Sequence, residues 1–178
     1  MADGASVNVS RMVTSPHVGT HADAPLHVAR DGAGADHLPL DAFVGLARVI
    51  DVRHLRGEIT LPHLEAAGYL SGTVRLLLHT GQTVANGTFP EAWPTLAPAT
   101  VRALVADGLR LLGVDCPSVD ARESQTLEVH RQLFGGGAFV LENLDLRTIR
   151  PGPYELLAPP LAVGAIDAAP VRALLRPL

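Results

Sequence analysis

The chain has 178 residues, of which 47% are apolar and 18% charged, and its net charge of −4 sets 14 arginines against 18 acidic residues with no lysine. That length and apolar content predict one domain, residues 1–178, large enough to bury a core. The lack of a basic stripe argues against nucleic acid as a partner, the lack of a long apolar run argues against a membrane, and a lone cysteine, Cys116, excludes a disulfide framework or a CxxC metal site.

In chain order, "MADGASVNVS" has neither the basic start nor the apolar core of a secretory signal, so a cytoplasmic location is expected. "VNVSRMVTS" alternates Val7, Val9, Arg11 and Val13 with polar neighbours and predicts a strand that leads into "SPHVGTHADAPLH", residues 15–27. Two histidines four apart suit one face of a helix, but Pro16, Pro25 and Gly19 exclude a helix here. On a strand, His17, His21, Asp23 and His27 share a face. Fully extended, however, His17 and Asp23 would lie roughly 20 Å apart, too far to share an ion held at about 2 Å. The strand is therefore expected to end and curl at Gly19 and Thr20.

Apolar runs at 46–52 and 73–81 predict two strands. Between them Thr60, Pro62 and Gly68 mark the cap, first turn and end of a short helix. The irregular stretch 84–98 carries Phe89 and Trp93, and reads either as a substrate-facing loop or as a surface loop pinned by one packed tryptophan. A helix follows over 97–108, a strand over 109–115, a helix over 124–134 stopped by three glycines, and a strand in "AFVLEN". Helices alternating with strands predict an α/β domain.

His17, His21 and Asp23 supply three metal-ligand side chains within seven residues, and such a site needs neutral imidazoles and carboxylates with one position left open. Candidates for further ligands are His130, placed in the last part of the 124–134 helix, and Glu142, which ends a strand behind Phe139, Val140 and Leu141. A carboxylate buried there needs a partner or a metal. His37, His54 and His63 lack such company; His79 ends an apolar strand, and Cys116 reads as a small buried side chain.

"HVGTHADAPLH", "GVDCPSVD", Ser124, Thr126, His130, "LEN" and "YELLAPPL…DAAPVRALLR" together resemble the cyclase family of metal-dependent amidohydrolases, and within it the bacterial kynurenine formamidases. The resemblance runs from about Val7 to the carboxyl end. It implies an α/β fold with a mixed sheet and flanking helices, similar to the swivelling β/β/α folds. It implies two zinc ions per subunit, manganese being the other metal to consider, with His17, His21 and Asp23 on one, and His130 and Glu142 on a second that Asp23 bridges. His27 falls at the family's acid/base position, while Asp115, Ser118 and Asp120 are candidates for supporting the ligands. The implied reaction is hydrolysis of N-formylkynurenine to kynurenine and formate, by a homodimer acting on a small molecule. The alternatives are a cyclic amide hydrolase resembling isatin hydrolase and, in another class, a metal-binding module with little activity. The last rests on a family segment ahead of Val7, with a strand and an aromatic for the substrate ring, that has no counterpart here; Phe89 or Trp93 are the expected substitutes.

Overall fold

In the computed structural model, residues 6–178 are described. The strand expected over 7–15 does not form: residues 8–15 are irregular, Val7, Val9, Met12 and Val13 are exposed, and no strand pairs with them among the described residues. Alternating polarity describes a surface that fits a sheet, but a strand also needs a neighbour for its backbone. The first strand, β1 (His21–Asp23), lies instead after the curl. The bend falls where it is expected, with Gly19 at φ 63°, a left-handed conformation that glycine adopts without steric cost.

Beyond β1 a 3₁₀ turn carries Pro25–His27, and a second spans Ala35–His37. The chain continues through α1 (Leu40–Phe43), β2 (Val44–Asp51), β3 (Glu58–Ile59), α2 (Leu61–Ala66), β4 (Arg75–His79), β5 (Thr95–Leu96), α3 (Pro98–Ala106) and β6 (Leu111–Val114). It ends with α4 (Glu128–Gly135), β7 (Phe139–Glu142), β8 (Gly152–Leu157), β9 (Ala168–Pro170) and β10 (Leu174–Pro177). The α2 start is built as its residues suggest: the Thr60 backbone N–H donates to His63 Nδ1 at 3.2 Å, which gives His63 a capping role. The 124–134 helix begins later than its pattern predicts, because Leu127 takes φ 48° and the helix opens at Glu128. His130 therefore sits in the first turn, not the last.

Eight strands form one sheet in the order β10-β8-β2-β4-β6-β7-β1-β9, and β3 pairs with β5 separately. The four central strands, β2, β4, β6 and β7, run parallel, while β8 and β10 at one side and β1 and β9 at the other are antiparallel. This is the α/β domain that the pattern of elements predicts, with the mixed sheet that the resemblance implies. Side chains alternate between two cores. Leu76, Leu78, Leu112, Val114 and Val140 pack against Leu64 of α2, Val101 and Leu104 of α3, and Leu133 of α4. Leu77, Leu111 and Leu141 face the other way, onto Phe43, Leu144 and Leu156. Both faces of the central strands are thus covered, which explains their unbroken apolar sequence. No helix among the described residues is long and apolar enough to cross a membrane.

Candidate metal centre

The pairing of β1 with β7 builds the site. In this antiparallel register His21 stands opposite Glu142 and Asp23 opposite Val140. Residues directly opposite share a face, so His21, Asp23 and Glu142 project to the side where Val140 meets the helices. Ala22 points to the other core. From the helix side α4 contributes His130. His17 enters from the bend before β1, held in place because Thr20 Oγ1 donates to the Asn143 carbonyl at 2.7 Å.

Asp23 occupies the centre. Its Oδ1 lies 3.1 Å from His17 Nδ1 and 3.2 Å from His21 Nε2, while its Oδ2 lies 3.0 Å from His130 Nε2. Glu142 closes the group, with Oε2 3.5 Å from His21 Nε2 and Oε1 3.3 Å from His130 Nε2. Two ligands held at about 2 Å on one tetrahedral ion stand about 3.3 Å apart, so these separations suit shared coordination. His21 Nε2 and Asp23 Oδ1 are also buried without a hydrogen-bond partner, an arrangement that is costly unless something else binds them. The donor set is nitrogen and oxygen only, suited to zinc or manganese. His17, His21, Asp23, His130 and Glu142, widely separated in sequence, are therefore brought together.

Each of the three imidazoles has its second nitrogen engaged. His21 Nδ1 donates to the Gly19 carbonyl at 2.8 Å, His130 Nδ1 to Asp120 Oδ2 at 2.7 Å, and His17 Nε2 to Asp167 Oδ2 at 2.9 Å. Such outer bonds fix the tautomer and aim the remaining nitrogen at the centre. Asp120 does more: it accepts from the backbone N–H groups of Val129 and His130, so the same carboxylate caps α4 and orients its histidine. Glu142 Oε1 accepts from the Val119 N–H at 2.8 Å.

Burial disfavours protonation of His21, but Asp23 and Glu142 outweigh it and push its pKa up to about 10. At His130 burial is likewise overcome, by Asp120, Asp23 and Glu142, and the pKa rises to about 11. Burial would raise the Asp23 carboxyl, but His130, His17 and His21 hold it far below the usual carboxylate range. Without a metal, the centre therefore stores protons on the imidazoles that a metal would have to displace.

His27 is partly open, and its ring centroid lies 4.5 Å from that of His17 and 5.6 Å from that of His130. Its Nδ1 donates to Asp167 Oδ2 at 3.0 Å. Of the three candidates for supporting the ligands, Asp120 touches His130. Asp115 instead accepts from the backbone N–H groups of Thr80 and Gly81 and from the Thr80 hydroxyl, and Ser118 bonds within its own loop to Cys116 and Asp120. These two shape the loop and do not contact the imidazoles of the centre. Trp93 packs in the helix-side core and donates from Nε1 to the Asp120 carbonyl at 2.8 Å. It therefore pins the Asp120 loop, while Phe89 is 57% exposed and rests edge-on against it. His37 and His54 are on the surface, His79 is buried 3.8 Å from Asp115, and Cys116 is buried, with burial pushing its thiol pKa up.

The hydrogen bonds made by Asp167 and by the Thr20 hydroxyl are not readable from sequence. Asp167 lies 150 positions from His17 and opens the run "DAAPVRALLR", in which nothing local marks it as a partner of the histidines. Only the pairing of β9 with β1, which sets Ala168 beside Asp23, brings it to the site.

Comparison with known proteins agrees with this geometry. The model of the Cyclase family, described as "Putative cyclase", matches residues 4–121. A kynurenine formamidase of Salinibacter ruber (strain DSM 13855 / M31) is 44% identical over 177 residues, 98% of this chain and 82% of that protein. One from Bordetella avium (strain 197N) is 44% identical over 172 residues, 97% and 82% of the two chains. Among solved structures, a potential metal-dependent hydrolase with cyclase activity superposes with a TM-score of 0.83 at 30% identity, covering 93% of this chain and 81% of the other. Isatin hydrolase A from Labrenzia aggregata superposes less closely, with a TM-score of 0.73 at 26% identity, covering 90% and 73%. By sequence and by fold, the chain belongs to the cyclase family.

Proposed function

We propose that the chain, as a single domain of residues 1–178, is a metal-dependent amidohydrolase that converts N-formyl-L-kynurenine and water to L-kynurenine and formate. The observation that carries this reading is the Asp23 carboxylate, with one oxygen beside His17 and His21 and the other beside His130. His17, His21 and Asp23 would hold one zinc, and Asp23, His130 and Glu142 another. The likeness to two kynurenine formamidases over nearly the whole chain supports the substrate.

When bound, such ions lower the pKa of water and polarise a carbonyl, the two needs of amide hydrolysis. The protein supplies the rest. An arylamine is a poor leaving group as an anion, so a proton must reach its nitrogen as the C–N bond breaks. His27 is suited to deliver it, because it stands beside the ligand histidines, is partly open to a substrate, and carries an imidazole that can both hold and release a proton. Val7, Val9, Met12 and Val13, exposed in the irregular approach to the site, support a homodimer in which a second copy covers them.

The test is formate release from N-formylkynurenine by zinc-loaded and chelator-treated protein, with isatin assayed in parallel. Zinc-dependent formate release is the expected result. Ring opening of isatin without formate release would move the assignment to a cyclic amide hydrolase, and bound zinc with neither substrate consumed would mark a metal-binding module.

A further inference from the structure

We propose that Asp167 is the positioning residue for His27, orienting its imidazole for proton delivery while the same oxygen steadies His17. The inference rests on the reading of His27 as the acid/base. It goes beyond that reading by naming the group that makes His27 competent. Oδ2 of Asp167 accepts from His27 Nδ1 at 3.0 Å and from His17 Nε2 at 2.9 Å, so one atom joins a ligand histidine to the proton carrier. The backbone of Asp167 is tied to the same strand as the ligands: its carbonyl accepts from the Ala24 N–H at 2.9 Å, and the next residue, Ala168, pairs with Asp23.

The physical need is specific to His27. It sits on a short 3₁₀ turn and is partly open, so packing alone does not hold its ring. A proton carrier must present one chosen nitrogen to the substrate. A carboxylate at Nδ1 selects the tautomer protonated there and leaves Nε2 as the nitrogen not engaged by Asp167. Asp120 orients His130 in the same way, which makes Asp167 the second aspartate of this kind in the centre.

The competing role is an outer partner of His17 alone, which would affect metal affinity and nothing else. Asp167→Ala, His27→Ala and the double variant separate the two. Zinc content, kcat and KM for formate release, and the ring-nitrogen NMR shifts of His27 are the readouts. In Asp167→Ala, kcat should fall on the order of 10²- to 10⁴-fold, the range of acid/base groups, with zinc retained. KM should stay within about threefold, as for an interaction made only in the transition state. The double variant should be no slower than His27→Ala, because groups acting as a unit are not additive. The NMR shifts should place the His27 proton on Nδ1 in the unsubstituted protein and show that preference lost in Asp167→Ala. Multiplicative losses in the double variant, a kcat restored by excess zinc, or an unaltered His27 tautomer would each overturn the proposal. The tautomer is read without turnover, so an Asp167-dependent tautomer in a protein that releases no formate would uphold the positioning role and reject the substrate.

Discussion

At the residue scale, Asp23 and His27 lie four positions apart and differ in what surrounds them. Asp23 is buried among three imidazole nitrogens at 3.0 to 3.2 Å, whereas His27 bonds to Asp167 and keeps an open side. Their substitutions should therefore fail differently. Under the proposed coordination Asp23→Ala removes a carboxylate common to both metals, so its loss of metal should exceed the ~10- to 100-fold that follows removal of an outer partner. His27→Ala should keep its metal while kcat drops about 10²- to 10⁴-fold. Metal analysis beside steady-state kinetics decides the matter: full zinc in Asp23→Ala, or metal loss in His27→Ala, would redraw the division between ligand and proton carrier.

At the element scale, the turn that presents His27 depends on a glycine some way downstream. A Cβ added to Gly32 would come within 2.4 to 2.6 Å of the Pro25 and Leu26 backbone, which cannot yield as a side chain would. The same turn is closed by the Leu26 N–H to the Ala33 carbonyl. Gly32→Ala is thus an overpacking change, with an expected cost of about 1–3 kcal/mol. Chemical denaturation should reveal that loss, and kcat should fall as His27 is displaced. A variant of unchanged stability would mean that the turn can move freely. Opposite it, α4 shows why an apolar pattern alone misplaces a helix end. The pattern from 124 suits a helix, but the cap comes from Asp120, whose carboxylate takes the N–H groups of Val129 and His130.

For the whole molecule, the buried charges make metal uptake depend on pH. His21 and His130 have pKa values raised from 6.5 to about 10 and about 11 in the metal-free protein. Their proton-linked contribution to stability is fully present below about 6.5, the unfolded value, and is lost as pH rises through 10 and 11. The lowered pKa of Asp23 acts in the opposite direction: its contribution is present above about 3.8 and lost as pH falls below that value. A metal needs both imidazoles neutral, so each displaced proton weakens binding about tenfold, or ~1.4 kcal/mol, per pH unit lost below the raised pKa. Ligand binding to the native state raises the Tm. The zinc-induced rise should therefore be larger at pH 8.5 than at pH 6, as thermal unfolding of zinc-loaded and chelator-treated protein would record. An equal or larger rise at pH 6 would mean that these imidazoles carry no protons for zinc to displace.

The local chemistry was legible in the sequence. Prolines and Gly19 ruled out a helix around His17 and His21, parity set His21 and Asp23 on one face, and apolar runs marked the central strands. These are short-range consequences of backbone sterics and side-chain period, and they survive folding because they need no distant partner. Where a distant partner was required, the sequence left the outcome open. Residues 7–15 have the alternation of a strand but join no strand ladder among the described residues, and Trp93 went to the core to pin Asp120. Likewise Asp115 ties the end of β6 to the residues that follow β4, while Asp120, five residues on, holds His130. Asp167 opens the run "DAAPVRALLR" that carries part of the resemblance, but its partners were not readable there, because they come from β9 pairing with β1. The sequence by itself determined which residues could bind a metal; which of them meet, and what orients them, was decided by strand register, a long-range property of the fold.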